Sequence, residues 1–176
     1  MIGILWYIHH VIGSSHAIIF NVISKDIIVY YNIHELLCYF HMLYYISDTI
    51  HQILYEKNIG YIIHHLITFY QLNSIRTITD IDALYVCNVC FGLLEFNSLL
   101  LLVRIDLKEA KKLTNNIDLF MYISYFIIRG IMFPYYIYQM SYHIPVYMPI
   151  SIYLISMKWL YDWTYKLKKR IKNEKY

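Results

Sequence analysis

Long apolar runs separated by short polar intervals set the pattern of this chain. Residues 1–24 contain no Asp, Glu, Lys or Arg, and similarly poor stretches recur to the C-terminus. A helix that crosses a bilayer needs about 20 mostly apolar residues. Six segments qualify: 2–24, 36–55, 59–75, 83–103, 119–142 and 146–165. A soluble alternative would need one domain apolar on every helix face, with too little polar surface to cover it. The pattern therefore predicts an all-α, polytopic transmembrane helix bundle of about six spans. The first segment resembles a signal peptide only in its position. It lacks a basic leader, and His9, His10 and His16 interrupt it, so it reads as a retained span.

Composition sharpens this picture. The 176 residues are 59% hydrophobic and 15% charged, against about 45–50% and 25% in ordinary soluble domains. Cys38, Cys87 and Cys90 all lie in apolar segments. The CxxC they include has no second ligand pair at zinc spacing, and three cysteines make no disulfide framework.

The basic residues supply an orientation. With six spans both termini share a side, and that side receives Lys57, Arg104, Lys108, Lys111 and Lys112 together with the tail KLKKRIKNEK. The opposite side receives only Lys25 and Arg76. Lys and Arg concentrate in cytoplasmic loops, so both termini are expected there. Residues 1–168 then form one membrane domain and 169–176 a basic cytoplasmic tail. The tail serves as a topology signal, and a contact with anionic lipid is the alternative, at about 1 kcal/mol per charge.

Ionisable side chains inside spans are costly and by default point to function. Asp48, His64, His65 and Glu95 fall at similar depth on three different spans, roughly 8–12 Å below the cytoplasmic edge. A carboxylate bonded to one nitrogen of an imidazole fixes its tautomer and leaves the other nitrogen as a base or nucleophile. Such a layer suits proton removal from an amine or hydroxyl, or attack on an acyl carbonyl. The competing reading is a structural ladder of His–carboxylate bonds between helices. A metal is not expected, because no HxxxH or ExxH pair occurs at these positions.

Other polar positions read as supporting ones. Asn88 precedes Glu95 on one helix face, with Gly92 between them allowing close approach. Lys158 and Asp162 are spaced to neutralise one another. Arg129 precedes Pro134, which should kink the fifth span near the arginine. The arginine then bonds either freed carbonyls or a lipid phosphate or carboxylate.

Taken in order, these motifs resemble the TLC-domain membrane proteins, the superfamily that includes the ceramide synthases. The stretches are SSHAI (14–18), YYISDTIH with Asp48, HHLIT with the double histidine, EFNSLLLLVR with Glu95, Ser98 and Arg104, FIIRGIMFPYYIY with Arg129, and SMKWLYDWTYKLKK. The resemblance runs nearly end to end and is closer to the branch outside the synthases. Where the synthase motif has a His-Asp pair, this chain has Phe91 and Gly92.

The resemblance implies a helix bundle around a lipid-accessible cavity, in the endoplasmic reticulum or a related membrane, acting in lipid metabolism or composition. His64, His65, Asp48 and Glu95 become the candidate catalytic set. Arg129, Asn88, Ser98 and Arg104 become candidate lipid contacts. Membrane lipids are the expected partners, with acyl-CoA as a second candidate, and neither a cofactor nor nucleic acid is expected. Two alternatives stand beside this reading: a ceramide synthase-like, acyl-CoA-dependent N-acyltransferase, and a non-catalytic lipid sensor or cargo chaperone.

Overall fold

The structure is a computed structural model that describes residues 2–22, 27–143 and 145–173. Six helical rods make up the described chain. They are α1 (Ile2–Val22), α2 (Ile27–His51) running into a π-helical stretch Gln52–Glu56, α3 (Ile59–Ile75), α4 (Ile81–Glu109), a composite fifth rod, and α7 (Tyr147–Asn173). The fifth rod joins α5 (Asn115–Tyr125) to α6 (Phe133–Met140) through a second π-helical stretch, Phe126–Met132.

Local chemistry fixes several of the ends. Lys57 adopts φ 54°, a left-handed conformation that stops the first π-helical stretch. Asn58 then caps α3 by accepting the Tyr61 N–H at 3.4 Å. Asp80 accepts the N–H groups of Asp82 and Ala83 to start α4. Thr114 caps α5 through the Ile117 N–H. Such side-chain acceptors satisfy amide donors that a helix start leaves orphaned. Pro134 sits in the first turn of α6. Lacking an N–H, it cannot bond the carbonyl four residues back, and the preceding turns are π-helical.

Large apolar side chains cover the outside of the bundle, and several ionisable ones lie within it beside the apolar core. Leu36, Leu43, Ile50, Leu54, Leu66, Phe120 and Ile131 are among the exposed large apolar residues, while His9, His41, Asp48, Glu95, Asp118 and Arg129 are buried. Two rods, Ile81–Glu109 and Asn115–Met140, are individually long and apolar enough to cross a membrane. At 17 residues, α3 falls short of the about 20 that a perpendicular crossing requires.

Contacts between rod ends define how they alternate. At one end Arg76 after α3 bonds Glu35 on α2 at 3.1 Å, Tyr31 bonds the Thr79 carbonyl, and His143 meets Asp80 at 2.7 Å. At the other end Tyr7 on α1 bonds Asp106 on α4. There too Arg104 on α4 bonds Asp118 on α5 at 2.5 Å. Successive rods therefore run in opposite directions.

The apolar core gathers Cys38, Met42 and Tyr45 of α2 with Leu72 of α3, Cys87 and Cys90 of α4, and Phe133 and Ile137 of α6. α1 packs tightly against α4. At Gly13, a Cβ would lie 2.6 Å from Glu95 Cγ and 2.8 Å from Glu95 Cβ. Only a glycine admits Glu95 there.

Candidate functional site: a polar cavity among the helices

The double histidine sits on α3 and splits as adjacent helical positions must, about 100° apart. His65 is buried and turns toward α2, where its Nδ1 lies 3.2 Å from Asp48 Oδ2. The ring is not aligned for a hydrogen bond, and both His65 Nδ1 and Asp48 Oδ1 are buried without one. His64 packs edge-on against Trp159 of α7 at 5.5 Å between ring centroids. Its Nδ1 is likewise buried without a hydrogen-bond partner.

These groups face a cavity of about 340 Å³ lined by Asp48, Tyr61, His64, His65, Arg129 and Trp159, among others. That volume lies at the lower end of the range for small-molecule sites, about 300–1,000 Å³. A smaller cavity of about 40 Å³ adjoins it, sharing His64, Ser98 and Arg129 and reaching Glu95. Unpaired buried polar atoms in a hydrocarbon setting cost free energy, so their concentration around one cavity marks a place suited to a polar ligand.

Arg129 forms one wall and is bound by the protein itself. It donates from Nε to Asn97 Oδ1 at 3.2 Å, from Nη1 to Ser156 Oγ at 3.0 Å, and from Nη2 to the Leu94 carbonyl at 3.2 Å and Ser98 Oγ at 3.1 Å. The carbonyl it takes belongs to α4 and not to its own distorted rod. Ser98, by accepting that bond and lining both cavities, joins the same wall.

Glu95 keeps different company from the expected one. Its Oε1 accepts from Tyr45 OH at 2.8 Å, and its Oε2 lies 2.5 Å from His10 Nδ1 and 3.2 Å from His9 Nε2. The carboxylate nearest an α3 imidazole is thus Asp48, while Glu95 is engaged by α1 and α2. Sequence alone does not single out His9, His10 and His41 as site residues, yet they meet here, with His41 Nδ1 3.0 Å from His9 Nδ1. The one signal in the sequence is that three histidines interrupt an otherwise uncharged first span.

Two further residues expected at the site lie elsewhere. Asn88 bonds His34 at 3.2 Å and the Leu84 carbonyl at 2.8 Å, and lines neither cavity. Arg104 pairs with Asp118 and stacks over Trp163 at 4.2 Å, beside an outer groove that also holds Lys166. Lys158 and Asp162 pair at 2.8 Å as their spacing predicts, on an exposed face. His16 of the SSHAI stretch lies outside the residues whose side chains are described.

Fold and site together define an all-helical membrane protein with a cavity among its rods that gathers buried ionisable side chains. The TLC domain matches residues 2–165, and the chain belongs to that family. It is an integral membrane protein, and its family connects it with membrane lipids. No curated protein and no solved structure matches the chain.

Proposed function

We propose that this protein binds an acyl lipid in the 340 Å³ cavity and acts in membrane lipid metabolism or composition. One observation carries the reading. Asp48 Oδ1, His64 Nδ1 and His65 Nδ1 are buried without hydrogen bonds around a cavity whose remaining wall mixes aromatic, aliphatic and polar side chains. A lipid headgroup, ester or amide would satisfy these atoms while its chains pass between the rods.

As a catalyst, His64 is the base or nucleophile, because its ring lines both cavities. Asp48 lies 3.2 Å from His65 beside it, and the Arg129 guanidinium places a positive charge near a developing negative one. Acyl-CoA is the proposed acyl source. The proposed arrangement is six spans with both termini cytoplasmic, in the endoplasmic reticulum or a related membrane. The alternating rod contacts and the one-sided distribution of Lys and Arg support it.

A second reading, a non-catalytic lipid sensor or chaperone, is favoured by the thoroughness with which Arg129 is bonded by protein groups. The lipidome of membranes carrying wild type is compared with that of the His64→Ala/His65→Ala double variant, at matched levels of folded protein. An acyl-chain change seen only with wild type supports processing at the pair. Equal profiles that both differ from empty membranes favour the sensor. Profiles equal to the empty control refute lipid processing and favour the chaperone.

A further inference from the structure

Beside the cavity, where α1 meets α4, three potential ligands converge on one point. His9 Nε2, His10 Nδ1 and a Glu95 carboxylate oxygen all lie within 4.8 Å of one another. Each residue with a second polar atom near a partner has that atom already engaged. His9 Nδ1 faces His41 Nδ1 at 3.0 Å, and with His9 as the donor its Nε2 keeps a free lone pair. Glu95 Oε1 accepts from Tyr45, which leaves Oε2 toward the two imidazoles. His9 is 1% exposed, and its Nε2 is buried without a hydrogen bond.

We propose that His9, His10 and Glu95 bind a divalent first-row transition-metal cation, zinc or iron(II). Two imidazoles and a carboxylate with positions left open suit catalytic zinc or non-haem iron(II). Bond lengths of about 2.0–2.2 Å place tetrahedral ligand atoms about 3.4 Å apart, close to the 3.2 Å between His9 Nε2 and Glu95 Oε2. The 2.5 Å His10–Glu95 contact opens on binding, when the proton between them leaves and a metal takes its place. His41 and Tyr45 are the outer partners that such ligands usually have, fixing tautomer and carboxylate orientation. His10 also borders the larger cavity, and Glu95 the smaller one. Gly13, by admitting Glu95 to α1, is what lets the three groups meet.

The test uses the full chain purified in mild detergent from cells supplied with zinc and iron. Elemental analysis is expected to find about one ion per chain, and either metal supports the proposal. Chelation should lower the melting temperature and added Zn²⁺ should restore it. His10→Ala should cut metal content about tenfold or more while the protein stays monodisperse, and His64→Ala/His65→Ala should leave it unchanged. Wild type that carries no metal and shows no melting shift with Zn²⁺ overturns the proposal and leaves a hydrogen-bonded proton between His10 and Glu95. Metal retained in His10→Ala, or lost in the double-histidine variant, overturns it equally. Should Glu95→Gln or His10→Ala fail to fold, the chelation and reloading of wild type decides alone.

Discussion

Gly13→Ala isolates the contact that holds α1 against α4. The added methyl would meet Glu95 Cγ at 2.6 Å, Cβ at 2.8 Å and Cδ at 3.3 Å. The first two atoms belong to the stem of a side chain pinned by Tyr45, His9 and His10, so they cannot swing aside. Overpacking of this kind costs about 1–3 kcal/mol, offset by about 0.8–1.0 kcal/mol for alanine over glycine in a helix. Gly130→Ala is the control, because its methyl would find Phe126 at 3.4 Å and Leu160 at 3.9 Å, ordinary contact distances. Gly130 lies in the π-helical stretch, so its variant controls for adding a methyl at ordinary contact distance, and Gly13→Ala should be less stable than Gly130→Ala by up to about 2 kcal/mol once its helix gain is subtracted. Denaturant titration in detergent micelles with a helicity readout measures it. Equal stability of the two variants would refute the reasoning, because it would mean that α1 does not press its glycine onto Glu95.

Arg129→Lys keeps the buried charge but reaches fewer of the four acceptors, whereas Arg129→Met removes the charge with its bonds. At about 0.6 kcal/mol per intramembrane bond, four bonds amount to about 2 kcal/mol. Relief of burying an ion reduces the loss for methionine, so lysine should melt lower than methionine. A lysine variant as stable as wild type contradicts this. A double-mutant cycle between Asp48→Asn and His65→Phe should show coupling of about 0.6–1.7 kcal/mol, and additivity would mean that the 3.2 Å pair is not an interaction. Outside the spans, Asp80 is held below its ordinary value of 3.8, chiefly by the Asp82 N–H and also by His143 and the Ala83 N–H. A depressed carboxylate contributes stability that is present above its unfolded value and lost as pH falls through the folded one. Melting temperature should therefore decline more in wild type than in Asp80→Ala below pH about 4, and identical acid profiles would remove Asp80 from the account.

Hydropathy located all six rods but not their full lengths. The third, expected over 59–75, ends where α3 ends, because Asn58 caps it and apolar residues fill it. The second begins at Ile27 and not at 36, because Asn32, His34 and Glu35 dilute the apolar signal of a stretch that is nonetheless helical. The fourth runs to Glu109 and the last to Asn173, since charged helical turns can project beyond the apolar length that sequence detects. The Asp48–His65 neighbours were legible as a shared depth on consecutive spans. Glu95 with His10 was not, because its partners stand 85 positions apart, and depth alone does not say which faces meet. Asn88 shares a face with Glu95 as its spacing implies, yet packs against His34 farther along α4. Helical phase shows which residues align, and only the neighbouring rods decide what each one touches.

The π-helical stretch Phe126–Met132 makes the fifth rod sensitive to length in a way that composition hides. Wider turns of this kind amount to a residue inserted into a regular helix, and each inserted residue turns the remainder of the rod by about 100°. Losing one codon between 126 and 132 would leave the hydropathy of the segment almost unaltered. It would also carry Phe133, Ile137 and Met140, now buried against the core, toward the lipid, and swing Arg129 relative to Asn97 and Ser156. Substitutions along this stretch can be graded by size and polarity, whereas a deletion acts on everything downstream at once. A relative whose fifth rod is regular α-helix would accordingly align only with a one-residue gap here, and its arginine would have to be matched across that gap and not by counting from either end.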